Sequence, residues 1–170
     1  MMSTLSLSPF SGFLQIAYVT TDVDKAVDHF CREQNVQTWA RLPGIEIESI
    51  AGRHCKLNIA LAFVGSVQLE LIEPLSGDDR VYRDALPRDG FAIRHHHIAQ
   101  LIDSEAAFET QRSEMAAAGV PIVIDGQSPG SARYFYTDHR TTLGHYIEHI
   151  WYTPAGLAAM EQVPRNGAVR

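Results

Sequence analysis

Two short stretches of the chain share a pattern that constrains the fold more than any other feature. Gln15-Ile16-Ala17 opens one apolar run that ends at Asp22, and His97-Ile98-Ala99 opens another that ends at Asp103. In both, a polar residue precedes Ile-Ala, and the acidic residue precedes a helical pattern. A repeat of this kind indicates one supersecondary unit that is used twice.

Each opening strand has a later partner strand with a glutamate near its middle. Residues 67–74 carry Glu70, and residues 143–151 carry Glu148. Alternate residues of a strand share a face, so Glu70 is expected beside Gln68 and Ile72. The two halves therefore offer four polar residues at matching positions: Gln15, Glu70, His97 and Glu148.

The order of predicted elements is the same in both halves. A strand leads into a helix that starts at a capping residue, Asp22 in the first half and Asp103 or Ser104 in the second. Three strands follow each helix, and the patterns at Pro43-Gly44 and Asp125-Gly126 predict a strand end and a turn. The order strand–helix–strand–strand–strand, found twice, predicts an α+β fold.

The predicted boundaries divide the chain into four segments. A first βαβββ module covers residues 13–74, a connector covers 75–92, and a second βαβββ module covers 93–152. A C-terminal tail with one helix, predicted over 154–162, covers 153–170. At 170 residues the two modules are expected to share one core as a single domain.

Composition excludes several classes of partner. The net charge is −6 and the pI is near 5.7, which disfavours nucleic acid and anionic membranes as partners. No apolar run has the length of a transmembrane helix. Residues 1–12 are expected to form a loose arm without a secretory signal, and Cys31 and Cys55 fit reduced thiols. These features predict a cytoplasmic protein.

The repeated motifs resemble those of the glyoxalase/bleomycin-resistance/dioxygenase superfamily, also called vicinal oxygen chelate proteins. The resemblance covers about residues 13–151 and is closest to glyoxalase I and to methylmalonyl-CoA epimerase. The His96-His97-Ile98-Ala99 stretch and Glu73-Pro74-Leu75 are similar to the epimerase. The set of Gln, Glu, His and Glu is similar to zinc-type glyoxalase I, whereas the cationic residues that bind glutathione there have no counterpart here.

The resemblance implies a fold and a site. Two βαβββ modules would form a curved mixed sheet, a cup around one divalent metal. The metal ligands would be Gln15, Glu70, His97 and Glu148. This oxygen-rich set suits zinc, nickel, cobalt or manganese, and also magnesium, better than ions that prefer sulfur. Members of the family commonly dimerise, so a homodimer is expected.

The implied activity is that of a divalent-metal-dependent isomerase, epimerase or lyase. A small carbonyl compound or thioester would bind the metal, and the chemistry would be proton transfer through a metal-bound enolate. Glu148 is the first candidate for the base and Glu70 would be the opposing carboxylate. Glu46 or Glu48 is a weaker third candidate.

Two other functions are compatible with the motifs. The same cup could belong to a non-catalytic protein that sequesters a drug or metabolite, although such members commonly lack the four ligands. An extradiol-type dioxygenase is the second alternative, but its iron usually needs two histidines and one carboxylate. Strict alternation also places His95 on the face of His97 and turns His96 to the opposite face.

Overall fold

Nine strands and four helices make up the part of the chain that the computed structural model describes, residue 8 and residues 10–167. In chain order they are β1 (Phe13–Thr20), α1 (Val23–Glu33), β2 (Ala40–Ile50), β3 (Arg53–Val64), β4 (Val67–Gly77), α2 (Arg80–Arg83), β5 (Ile93–Leu101), α3 (Glu105–Ala117), β6 (Ile122–Ser128), β7 (Ala132–Asp138), β8 (Tyr146–Tyr152), α4 (Pro154–Glu161) and β9 (Arg165–Asn166). Most of the predicted N-terminal arm and the last three residues of the predicted tail lie outside the described residues.

The first eight strands form a closed ring. Their order is β2-β6-β7-β8-β5-β1-β4-β3, and β3 pairs with β2 again to complete the circuit. Strand β1 lies parallel to β4 and antiparallel to β5, so the two opening strands of the repeats are neighbours. The predicted α+β class with a curved mixed sheet is confirmed, and the curvature extends to closure.

The two long helices begin where their caps predict and pack on the outside of the ring. The Asp22 side chain accepts a hydrogen bond from the Lys25 amide, and the Ser104 hydroxyl accepts one from the Ala107 amide. Helix α1 buries Phe30 against β3 and β4, while α3 buries Phe108. None of the helices in the described residues is long and apolar enough to cross a membrane.

Two of the predicted strand boundaries are wrong. Strand β2 runs through Pro43-Gly44 with a register shift between Leu42 and Ile45, and the Asn58 side chain accepts the Gly44 amide hydrogen bond. Strand β6 likewise continues through Asp125-Gly126. In both places glycine serves an irregular or crowded strand rather than a turn.

The ring closes where β6 meets β2, at Gly126. A Cβ on this residue would lie 1.9 Å from the backbone oxygen of Glu48, so only glycine allows the two strands to approach this closely. The same oxygen accepts a hydrogen bond of 3.0 Å from the Tyr134 hydroxyl, and Glu48 pairs with Gln127 across the junction. Gly126 is therefore a packing requirement for closure.

The C-terminal segment crosses one end of the ring. After α4, strand β9 adds to β3, and the side-chain oxygen of Asn166 accepts hydrogen bonds from Gln37 and Thr38. Its amide group donates to the carbonyl of Thr38 at 2.9 Å. Helix α4 lies within one residue of its predicted end, whereas sequence patterns did not predict β9.

We expect Gly126→Ala to lower the free energy of unfolding by about 1–3 kcal/mol, since the added methyl group overpacks the junction of β2 and β6. Urea denaturation followed by circular dichroism measures this difference. Gln127→Ala is the matched control, because it removes only an exposed side-chain contact with Glu48 and should change stability by less than about 0.5 kcal/mol. Equal stability of the two variants would contradict the packing role of Gly126.

Candidate functional site

Four neighbouring strands of the ring each contribute one of the matched polar residues. Along the sheet order β8-β5-β1-β4 these are Glu148, His97, Gln15 and Glu70. The four side chains come from distant parts of the chain, yet each lies on the strand next to the previous one. The duplicated topology therefore brings all four residues to one region of the ring interior.

The alanines of the repeated motifs lie between these residues. Ala17 on β1 is in register with Glu70 on one side and His97 on the other. Ala99 on β5 is in register with Gln15 and Glu148 in the same way. Both alanines are fully buried. A methyl group at each position leaves room for the longer polar side chains that flank it, which gives the Ile-Ala repeat a structural reason.

The tips of the four side chains converge on one ring nitrogen. His97 Nε2 lies 3.3 Å from Gln15 Oε1, 3.5 Å from Glu70 Oε2 and 3.3 Å from Glu148 Oε2. His97 is fully buried, and the Glu70 and Glu148 side chains are only 13% and 7% exposed. The convergence expected from the sequence is therefore present in the coordinates.

A β-bulge changes the predicted orientation of the neighbouring histidines. Ala17 pairs with His97, but the next residue, Tyr18, pairs with His95, so His96 is the extra residue on β5. The expectation that His95 shares the face of His97 is wrong, since His95 is exposed and packs against Tyr18. His96 instead is buried, with its Nδ1 2.8 Å from the Nδ1 of His97.

The hydrogen bonds of His96 determine which nitrogen of His97 carries the proton. His96 Nε2 lies 2.9 Å from the carbonyl oxygen of Val81, which only accepts, so Nε2 must donate. Burial lowers the pKa of both histidines to about 3, so each ring is neutral and has one proton. His96 Nδ1 must then accept from His97 Nδ1. This leaves a lone pair on His97 Nε2, the atom that faces the site.

A glutamine orients the amide of Gln15 in a similar way. The Gln15 Nε2 donates a 2.8 Å hydrogen bond to Gln68 Oε1, which turns Gln15 Oε1 toward His97. Gln68 is fully buried, and its own amide group donates to the sulfur of Met160 on α4 at 3.4 Å. His96 and Gln68 are thus the residues that motif position alone did not identify as part of this site.

The site contains only acceptors once these orientations are fixed. An imidazole lone pair and an amide oxygen face two carboxyl groups, and such atoms repel one another unless a proton or cation lies between them. Burial and the charge of Glu148 raise the pKa of the Glu70 carboxyl well above its usual value. Burial raises the pKa of Glu148 to about 8, although a hydrogen bond from Tyr136 opposes this.

The third candidate base lies elsewhere. The Glu46 side chain is 70% exposed beside His54, and the Glu48 carboxylate accepts hydrogen bonds from the Gly52 amide and from Gln127. Among the described residues, no cluster of three or more His, Cys, Asp or Glu side chains forms an evident metal site by itself. The present set includes an amide, and it is defined by the contacts around His97 Nε2.

The two buried carboxyl groups open onto a cavity inside the ring. The cavity has a volume of about 140 Å³, and Glu70 and Glu148 form part of its lining. Aliphatic side chains and the rings of Tyr134 and Tyr136 make up much of the remaining wall. A small molecule in this cavity would contact both carboxyl groups while it is shielded from bulk water.

We expect the metal-free protein at neutral pH to hold His97 as the tautomer protonated at Nδ1. Long-range ¹H–¹⁵N correlation spectra distinguish the two ring nitrogens. His96→Phe removes the acceptor for the Nδ1 proton and should shift the equilibrium toward the other tautomer. His95→Phe, on the outer face, is the control and should leave the His97 signals unchanged. A His97 ring protonated at Nε2 in the unaltered protein would contradict the assignment.

Comparisons with known proteins agree with this architecture. The family model described as Glyoxalase/Bleomycin resistance protein/Dioxygenase superfamily matches residues 14–137. Methylmalonyl-CoA epimerase from Mycobacterium tuberculosis is a similar solved structure, with 17% identity, a TM-score of 0.57, and coverage of 91% of this chain and 97% of that chain. No curated protein sequence matches this chain.

Two further solved structures have the same fold. Streptomyces coelicolor methylmalonyl-CoA epimerase in complex with 2-nitronate-propionyl-CoA has 16% identity and a TM-score of 0.57, and the alignment covers 85% of this chain and 96% of that chain. A hypothetical protein from Bacillus halodurans has 18% identity and a TM-score of 0.53, with coverage of 83% and 94%. The match to the family model spans most of the chain, and the protein therefore belongs to the glyoxalase/bleomycin resistance protein/dioxygenase superfamily.

Proposed function

We propose that Gln15, Glu70, His97 and Glu148 hold one divalent metal ion, and that the protein is a metal-dependent isomerase, epimerase or lyase. The observation that carries the proposal is the convergence of three oxygen atoms on the lone pair of His97 Nε2 at 3.3–3.5 Å. These atoms have no donor among themselves while both carboxyl groups are ionised. A divalent cation would satisfy all four at once.

The distances within the set fit an ion of this kind. Protein ligands bind first-row divalent metals at about 2.0–2.2 Å, so adjacent ligand atoms of one coordination shell lie about 3.0–3.5 Å apart. The contacts from His97 Nε2 to the three oxygens lie in that range. Two carboxylates would also balance the charge of the ion. Zinc, nickel, cobalt and manganese suit this combination of one nitrogen and three oxygens.

The dioxygenase alternative fits the site less well. Iron in such enzymes is commonly held by two histidines and one carboxylate. His96 is the histidine nearest to His97, but both of its ring nitrogens have partners, the Val81 carbonyl and His97. The site therefore offers one imidazole lone pair, and its other donors are oxygens.

The proposed reaction is proton transfer next to a carbonyl group. The metal would supply Lewis acidity to the carbonyl oxygen of the substrate. The Glu148 carboxylate would take the proton from the adjacent carbon, and Glu70 would face the same carbon from the neighbouring part of the cavity lining. Return of the proton by the second carboxylate would invert the carbon, whereas its return to another carbon would isomerise the substrate. The apolar wall would exclude competing water.

Three features of the proposal remain predictions. The substrate is expected to be a small carbonyl compound or thioester, and the similarity to methylmalonyl-CoA epimerases supports an epimerase type of reaction. A homodimer is expected from the family alone. A cytoplasmic location is expected from the composition, and both Cys31 and Cys55 are free thiols.

We expect His97→Ala to weaken metal binding by about tenfold or more, because it removes the only nitrogen ligand from the proposed set. Elemental analysis of protein purified without added metal, followed by titration with zinc and nickel, measures this effect. His95→Ala is the control, since His95 lies on the outer face. Unchanged metal affinity would exclude His97 from the site. A metal-free protein that still binds carbonyl ligands would favour the sequestering alternative.

We expect Glu148→Gln to leave the fold intact and to lower the rate of solvent deuterium incorporation into substrate by about 10²–10⁴-fold, the usual contribution of a general base. The amide keeps an oxygen for the metal, so metal content is measured in parallel. Glu46→Gln, an exposed change, is the control. If the variant retains both metal and the normal exchange rate, Glu148 is not the base. A panel of ketones and acyl thioesters provides the substrates.

A further inference from the structure

The wall of the cavity is almost entirely apolar. The two carboxyl groups of the site are the only charged side chains among the described residues that line it. Opposite them the lining is aliphatic or aromatic, and its members include Leu42, Ile45, Ile59, Tyr134, Tyr152 and Met160. The cavity therefore has a negative end and an uncharged wall, with no Lys or Arg among these lining residues.

This distribution of charge disfavours an anionic substrate group. A carboxylate on the acyl part of a substrate would lose its hydration and find no basic side chain in the lining. Glu70 and Glu148 would already balance the charge of a divalent ion, so an additional anion would leave the site with excess negative charge. A methyl or phenyl group in the same position would instead gain from contact with the wall.

The volume limits the size of the group. The cavity measures about 140 Å³, close to the engineered apolar cavity of about 150 Å³ that binds benzene. Pockets for drug-sized ligands have volumes of about 300–1,000 Å³. The interior of the ring therefore accommodates a short branched acyl group or a single aromatic ring, while a larger carrier attached to the carbonyl would lie outside it.

We infer that the site selects an uncharged, apolar carbonyl group of about the size of benzene, and discriminates against the same group bearing a carboxylate. This inference rests on the proposed function, since it names the substrate class of the same site. It also separates this protein from the printed activity of the similar epimerases, because a methylmalonyl group carries a carboxylate. The specificity would lie in the wall, and the proton transfer in the acidic residues.

The test uses the isobutyryl and methylmalonyl thioesters of N-acetylcysteamine, which differ only by a methyl group in place of a carboxylate. Isothermal titration calorimetry of zinc-loaded protein measures binding, and deuterium incorporation at the α-carbon measures turnover. We expect the isobutyryl thioester to bind at least about tenfold more tightly. Tighter or equal binding of the methylmalonyl thioester, or no binding of the isobutyryl thioester, overturns the inference. A naphthoyl thioester should bind more weakly than the isobutyryl one, and the opposite result contradicts the size limit.

The two readouts separate the inference from the proposed function. Selective binding of the isobutyryl thioester without exchange would keep the specificity and reject the catalytic proposal. Exchange of both thioesters with equal affinity would do the reverse. Leu42→Arg adds a cation at a lining residue that is 36% exposed, so the charge remains partly solvated. This variant should bind the methylmalonyl thioester at least about tenfold more tightly than the matched control Leu42→Gln, and equal affinities would contradict the charge argument.

Discussion

The polarity of a single imidazole ring determines what the interior of this protein can bind. The Val81 carbonyl accepts from His96, which must then accept from His97, so the lone pair of His97 Nε2 faces the cavity. If the proton lay on the other nitrogen, His97 could donate to a carboxylate and the cluster would be an ordinary buried hydrogen-bonded group. With the lone pair inward, His97 joins the oxygen acceptors, and the cluster needs a proton or a cation.

Closure of the ring gives this arrangement its energetic consequence. Carboxyl groups on an open sheet would be hydrated, but Glu70 and Glu148 lie inside a circuit that is completed where Gly126 meets Glu48. Burial there raises the pKa of both carboxyl groups. Because desolvation strengthens every electrostatic interaction in the cavity, the same closure that makes the acids costly also makes a bound cation effective. The junction of β2 and β6 is therefore coupled to the site despite its distance along the chain.

The parts of the structure that sequence patterns predicted are those governed by local periodicity. Caps at Asp22 and Ser104 identified the helices, and alternation identified Glu70 and Glu148 as inward-facing. The errors arose where backbone irregularity overrides alternation. The bulge at His96 brings two consecutive histidines inward, and Gly126 looks like a turn although it permits a close approach of two strands. Neither feature has a local pattern, because each depends on which strand lies opposite.

The catalytic centre and the wall of the cavity are built from different parts of the ring. The four polar residues lie on β8, β5, β1 and β4, whose order the repeated motifs dictate. Much of the apolar wall comes from β2, β3, β7 and α4. Changes on the wall strands can thus alter the shape and charge of the cavity without moving the converging tips. Because recognition and proton transfer depend on separate strands, the fold that this chain shares with known epimerases determines the position of the acids, while the wall determines which carbonyl group can reach them.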